Sequence, residues 1–205
     1  FSTRRDEDWA AKHAIGHAAA ALVDDHETVL LDGGSTTYEL ARALVNRPLQ
    51  VVTNSLPVAH LLSASDSIDL IVIGGCVRGR TAVAIGPMAD QMIAGLNVTK
   101  AFLSVAGVTE RGFFNSDMML VENERAMLDS ADESIVVADS RKFGRVSLSR
   151  MFGLDQVHRV VTDWNLDPAW KSRFETAGPQ LVLAPEPNES IHSFTPFDRT
   201  LPSHA

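Results

Sequence analysis

Residues 30–40 read Leu30-Leu31-Asp32-Gly33-Gly34-Ser35-Thr36-Thr37-Tyr38-Glu39-Leu40. This stretch joins an apolar run, 28–31, to an amphipathic run, 38–45. Two glycines and three hydroxyl residues lie between them. Glycine lets a backbone turn sharply and present its N–H groups. Ser35, Thr36 and Thr37 then stand where a helix begins. The first N–H groups of a helix lack partners within it, and its dipole adds partial positive charge there. Hydroxyl donors beside such groups make a site for an anion, most often phosphate. An ordinary helix cap also favours Ser and Thr, but one capping residue suffices for that. The run after a buried strand therefore reads as an anion loop. No Gly-Lys-Ser/Thr follows, so it is not a Walker loop, and it lacks the dinucleotide fingerprint Gly-x-Gly-x-x-Gly.

The remaining chain repeats the pattern. Apolar runs at 28–31, 49–52, 70–73, 101–105, 134–138, 157–161 and 181–183 predict strands. Helices are predicted at 9–23, 37–45, 56–63, 88–96, 120–131 and 168–176, with a short segment at 81–85 before the fourth. Continuous apolar strands alternating with helices indicate an α/β fold, Rossmann-like, with a mainly parallel sheet covered by helices on both faces. With 205 residues, 45% hydrophobic, the chain is long enough for one domain with a sizeable core. Residues 1–8 read as a linker, 9–184 as the domain and 185–205 as an irregular tail rich in proline.

Composition excludes several functions. A formal net charge of −8 argues against nucleic-acid binding by this chain alone, which needs clustered cations. The single cysteine, Cys76, permits no internal disulfide and suggests a reducing cytoplasm. No apolar run approaches membrane-spanning length. His13 and His17 have a helical metal-ligand spacing but no evident third ligand, so no metal is expected, and no cofactor motif is present. Phe113-Phe114 and Met118-Met119 read as core or interface.

Parallel sheets of this kind bind ligands beyond the carboxyl ends of their strands. The residues there are Asp32, Gly33, Gly34, Ser35, Thr36 and Thr37; Thr53, Asn54 and Ser55; Gly74 and Gly75; Ala106 and Gly107; and Asp139 and Ser140. Small and hydrogen-bonding residues at five strand ends indicate a pocket for a polar ligand. Lys142 can add a cation to its rim, as can Arg78 and Arg80.

Six motifs in order carry a resemblance: Leu-Asp-Gly-Gly-Ser-Thr-Thr (31–37), Val-Val-Thr-Asn-Ser (51–55), Ile-Gly-Gly (73–75), Ile-Gly-Pro (85–87), Lys-Ala-Phe-Leu-Ser (100–104) and Ala-Asp-Ser-Arg-Lys-Phe-Gly (138–144). Together they resemble the sensor domain of DeoR-type bacterial transcription regulators. The resemblance implies a fold similar to ribose-5-phosphate isomerase, glucosamine-6-phosphate deaminase and coenzyme A transferases. It implies a phosphorylated sugar or related metabolite as effector, bound by the phosphate loop 32–37 and by Thr53, Asn54, Ser55, Gly74, Gly75, Asp139 and Lys142. It further implies a homo-oligomer that reaches DNA only through a preceding winged helix-turn-helix, commonly as a repressor of sugar catabolism genes. Cys76 stands where the family often has Thr. Glu124 stands where it usually has Lys, next to Arg125.

The rival reading is an active sugar-phosphate isomerase on the same fold. Aldose–ketose isomerisation needs a base and an acid around a carbonyl. After the 101–105 strand this chain has Ala106-Gly107-Val108-Thr109, without a carboxylate until Glu110. Its four lysines, Lys12, Lys100, Lys142 and Lys171, all lie outside Gly-rich loops. A phosphate loop without proton-transfer groups favours a sensor over an enzyme.

Overall fold

The computed structural model describes residues 8–187. The expected linker and tail lie outside that span, apart from Asp8 and residues 185–187. The chain order is α1 (Trp9–Ala20), β1 (Thr28–Leu31), α2 (Ser35–Leu44), β2 (Leu49–Thr53), α3 (Leu56–Leu62), β3 (Ile68–Val72), β4 (Cys76–Arg78), β5 (Val83–Ile85), α4 (Pro87–Ala94) and β6 (Val98–Ser104). Then come β7 (Gly107–Thr109), β8 (Gly112–Asn115), α5 (Met118–Asp129), β9 (Ala131–Val137), β10 (Ser149–Phe152), β11 (Arg159–Thr162), α6 (Ala169–Ala177) and β12 (Gln180–Leu183).

Seven strands form one parallel sheet in the order β3-β2-β1-β6-β9-β11-β12. Alternation along each strand divides the core. Val29, Leu31, Val51, Phe102, Ile135 and Val161 face α1, α2 and α3. Leu30, Val52, Ala101, Leu103, Val136 and Val160 face α4, α5 and α6. The expected covering of both faces follows from this two-residue period. From β1 the chain winds outward through β2 and β3. It then returns to place β6 on the other side of β1, so the winding reverses between β1 and β6. A crevice opens at such a reversal, beyond the carboxyl ends of the two strands.

Two small antiparallel sheets were not apparent in the sequence. The expected segment at 81–85 is half of a hairpin, in which β5 pairs with β4. Residues 107–115 form β7 and β8, and β8 also pairs with β10 through an irregular register at Arg150/Phe152. These strands have three or four residues, too few for a two-residue alternation to stand out. Phe113 and Phe152 pack with ring centroids 5.4 Å apart, and both are buried.

The helices α1 and α2 cross with their backbones touching at Gly16. A Cβ there would lie 2.7 Å from both the Glu39 carbonyl carbon and the Leu40 nitrogen. Backbone atoms of a packed helix cannot swing aside as a side chain can. Gly16→Val is therefore expected to cost about 3 kcal/mol of stability, read as a lower urea midpoint with unchanged slope. A midpoint equal to the parent's would refute this account of the crossing.

Candidate functional site

The loop between β1 and α2 sits at the reversal. Gly34 is the N-cap of α2, with extended backbone and no side-chain cap on the helix. Thr37 Oγ1 donates to the Gly34 carbonyl at 3.0 Å. The first turn therefore carries three hydroxyl side chains and N–H groups that no side chain caps, the arrangement that binds anions. The two glycines are required by space. Neither has a positive φ. A Cβ on Gly34 would lie 2.6 Å from Ser104 Oγ, and one on Gly33 would lie 1.9 Å from Val83 Cγ1. The expected sharp glycine turn is thus a close approach of β6 and β5 to the loop.

Behind the loop lies a buried polar cluster. Asp32 accepts hydrogen bonds at one carboxylate oxygen from Ser104 N–H (3.1 Å) and Ser104 Oγ (2.8 Å). Burial raises the Asp32 carboxyl to about 6, and the hydrogen bonds from Ser104 and Gly33 only partly oppose this. Asn54 Nδ2 donates to Asn123 Oδ1 at 2.8 Å and to the Ala84 carbonyl at 3.3 Å. Asn123 donates onward to Asp90 at 3.0 Å. Glu124 accepts from Asn115 Nδ2 at 2.5 Å. Burial, and then the charge of Asp32, push the Glu124 carboxyl well above its usual range. Asn54 Oδ1 and Glu124 Oε2 are buried and have no hydrogen-bond partner. Buried acceptors are costly when unpaired, so they mark a place where a donor belongs.

The other predicted residues divide. Thr53 and Ser55 are buried and committed to the fold. Thr53 Oγ1 donates to the Leu31 carbonyl (2.7 Å) and accepts from Ser55 N–H (3.1 Å), while Ser55 caps α3. Gly74 and Gly75 are exposed at the end of edge strand β3. A Cβ on Gly75 would meet the Ile85 carbonyl at 2.8 Å. Arg78 is half-exposed on the β4–β5 hairpin, where it contacts Met119 Sδ (3.3 Å) and Asp117 (3.7 Å). Asp139 is buried at the end of β9 and accepts from Arg141 at 3.1 Å. Its other oxygen has no partner. Lys142 is half-buried in the following turn. The structure thus gathers Asp32, residues 33–37 and Asn54 around the end of β1 and puts Asp139 and Lys142 two strands away; Gly74 and Gly75 lie at the sheet edge, and Arg78 lies on the hairpin beside Val83, which packs against Gly33.

Ser104, Asn115, Asn123 and Glu124 were not among the predicted site residues. Ser104 closes the quoted 100–104 motif, and Glu124 was the marked departure from the family pattern. Those were the available signals. Lys100, at the other end of β6, pairs with Glu27 and serves the fold. His13 lies 3.4 Å from Glu39 and stacks edge-on with His17, within the α1–α2 seam. Among the described residues no three metal-binding side chains cluster, and no helix is long and apolar enough to cross a membrane. Cavities of about 380 and 450 Å³ lie between the β7–β8 turn and α6, and no predicted site residue lines them. Their charged pair, Arg173 with Glu110 at 2.8 Å, is already satisfied. The unpaired acceptors make the strand ends the better candidate.

The doubly wound sheet thus carries an uncapped helix start and a buried polar cluster at its reversal. The chain belongs to the family of the DeoR C-terminal sensor domain, whose description matches residues 7–164. It is 31% identical over 186 residues to an uncharacterized HTH-type transcriptional regulator, YulB, of Bacillus subtilis, covering 90% of this chain and 72% of that protein. It is 32% identical over 169 residues to the HTH-type transcriptional regulator IolR of Bacillus subtilis, covering 82% and 67%. Among solved structures, eIF2B beta from Chaetomium thermophilum aligns over 76% of this chain and 49% of its own, with 16% identity and a TM-score of 0.52. That likeness speaks for the fold alone. The chain is a regulator's sensor domain and not an enzyme.

The Asp32 environment makes stability depend on pH. Its folded pKa lies above the unfolded value of 3.8. The folded state therefore holds the proton more tightly, and stability falls as pH rises from about 4 to about 6. Asp32→Asn keeps an acceptor for Ser104 and removes the charge. The variant is expected to exceed the parent by roughly 2–3 kcal/mol at pH 8, with the difference vanishing near pH 4. Urea unfolding at both pH values checks this, and a difference independent of pH would contradict it.

Proposed function

We propose that this domain senses a phosphorylated sugar or sugar-derived metabolite and, within a DeoR-type regulator, acts as the effector switch of a repressor of sugar catabolism genes. The observation that carries the reading is the uncapped first turn of α2 standing beside the unpaired acceptors of Asn54 and Glu124. The phosphate sits on the 33–37 segment, where orphan N–H groups and hydroxyls meet it. The sugar hydroxyls extend toward Asp32 and Asn54, and along the strand ends toward Asp139 and Lys142. DNA contact belongs to a helix-turn-helix preceding this domain, since the chain is acidic. The sensor works as a homo-oligomer in the cytoplasm, because symmetric operators are read by paired DNA-binding domains. An effector changes DNA affinity only by binding one arrangement of the subunits more tightly than the other.

A thermal-shift screen of sugar phosphates, with the free sugars as controls, tests this reading. Stabilisation confined to phosphorylated compounds is the expected result. Thr36→Val then tests the loop itself. A charge-assisted hydrogen bond to phosphate is worth ~1.5–3 kcal/mol, so calorimetry should show affinity for the phosphorylated ligand falling roughly ten- to a hundredfold. A variant that only melts lower would assign the Thr36 hydroxyl to the helix start alone.

A further inference from the structure

The acidic pair behind the loop has a feature that a sugar hydroxyl alone does not answer. Asp32 and Glu124 are both about 1% exposed, and the charge of one acts on the other. Among the described residues no ion pair reaches either of them. Asp32 is held by Ser104, and Glu124 by Asn115. Each carboxylate therefore has neutral donors only. A buried charge without a countercharge is costly, and a neighbouring like charge adds to that cost. Glu124 Oε2 is left with no donor, and so is Asn54 Oδ1, whose side chain reaches the same α5 segment through Asn123. Hydroxyls could satisfy the acceptors but would bring no positive charge to carboxyls that burial holds toward the neutral form. A protonated nitrogen satisfies both demands, since an ammonium carries three donors and the missing positive charge.

We propose that Asp32, Asn54 and Glu124 form a subsite for a protonated amine, so that the effector is an amino sugar phosphate. This rests on the sensing reading above and specifies its ligand. The phosphate occupies the first turn of α2, and the ammonium group occupies the Glu124 side of the same cluster. The ligand is thus anionic at one end and cationic at the other. Glu124 acts here as a specificity residue: it selects among sugar phosphates by the charge of one substituent. Beside the cluster, Gly33, Gly34 and Ser104 are only half-buried.

The test is calorimetry of this chain with glucose, galactose and mannose 6-phosphates, the corresponding 2-amino-2-deoxy sugar 6-phosphates, their N-acetyl derivatives and the unphosphorylated amino sugars. At least one amino sugar phosphate is expected to bind about tenfold or more tightly than its hydroxyl counterpart, and the uncharged N-acetyl form should lose that gain. Glu124→Gln keeps the acceptor for Asn115 and removes the charge. It should abolish the amine preference, so that the amine and its hydroxyl counterpart bind the variant within about threefold of each other. Circular dichroism and the melting curve confirm that the variant is folded. Hydroxyl sugar phosphates binding as tightly as the amines would overturn the amine subsite and leave the sugar-phosphate reading intact. An amine preference that survives Glu124→Gln would overturn the role of Glu124. Amino sugars binding equally well without phosphate would support the amine subsite and overturn the phosphate reading. A panel with no binding would overturn both.

Discussion

The Asp32–Ser104 contact holds the site together. It spans the one place where the sheet changes winding direction, joining the end of β1 to the end of β6. Its geometry constrains what surrounds it. With Ser104 Oγ pressed against Gly34, no side chain fits at the helix N-cap, so the first turn of α2 stays uncapped. Asp32 is buried in making the contact, and its charge reaches Glu124 on α5. One pair of hydrogen bonds thereby fixes both the basic-natured helix start and the acidic floor beneath it.

That juxtaposition has an electrostatic logic. Backbone N–H groups and a helix dipole supply fixed partial positive charge and need no titratable cation. The Asp32 and Glu124 carboxyls behind it supply the opposite sign when ionised, which burial opposes. Because the two lie in a water-poor interior, each discriminates more strongly than it would at the surface. On the proposed reading, a ligand is distinguished by the sign of the charge at each of its ends. This suits a sensor that must separate closely related metabolites without transforming them.

The large sheet was legible because its strands are continuous apolar runs bounded by polar strand ends. Leu30-Leu31 before Asp32, Val51-Val52 before Thr53 and Val136-Val137 before Asp139 each announce a strand and its end. The turn from β1 into α2 was legible for the same reason. The antiparallel strands were not, because three or four residues carry no usable period. Nor was the buried cluster, whose members come from separate elements. Asn54 and Asn123 are 69 residues apart and meet only because α5 packs over the reversal. In sequence Asn115, Asn123 and Glu124 look like polar positions on a loop and a solvated helix. Only burial reveals them as lining. The glycines illustrate a subtler gap. Gly33 and Gly34 were recognisable as essential, but the demand for them comes from Val83 and Ser104, distant partners rather than local backbone geometry.

Arg141 shows how the site is tied to the start of the domain. Its guanidinium Nε pairs with Asp8, just before α1, and with Asp139 at the end of β9. One cation thus ties the end of β9 to the residue that leads into α1. A side chain without the guanidinium at position 141 would release the β9 end from the start of α1 and leave the buried Asp139 without that partner. Behind that tie, Gly16 packs α1 backbone to backbone against α2.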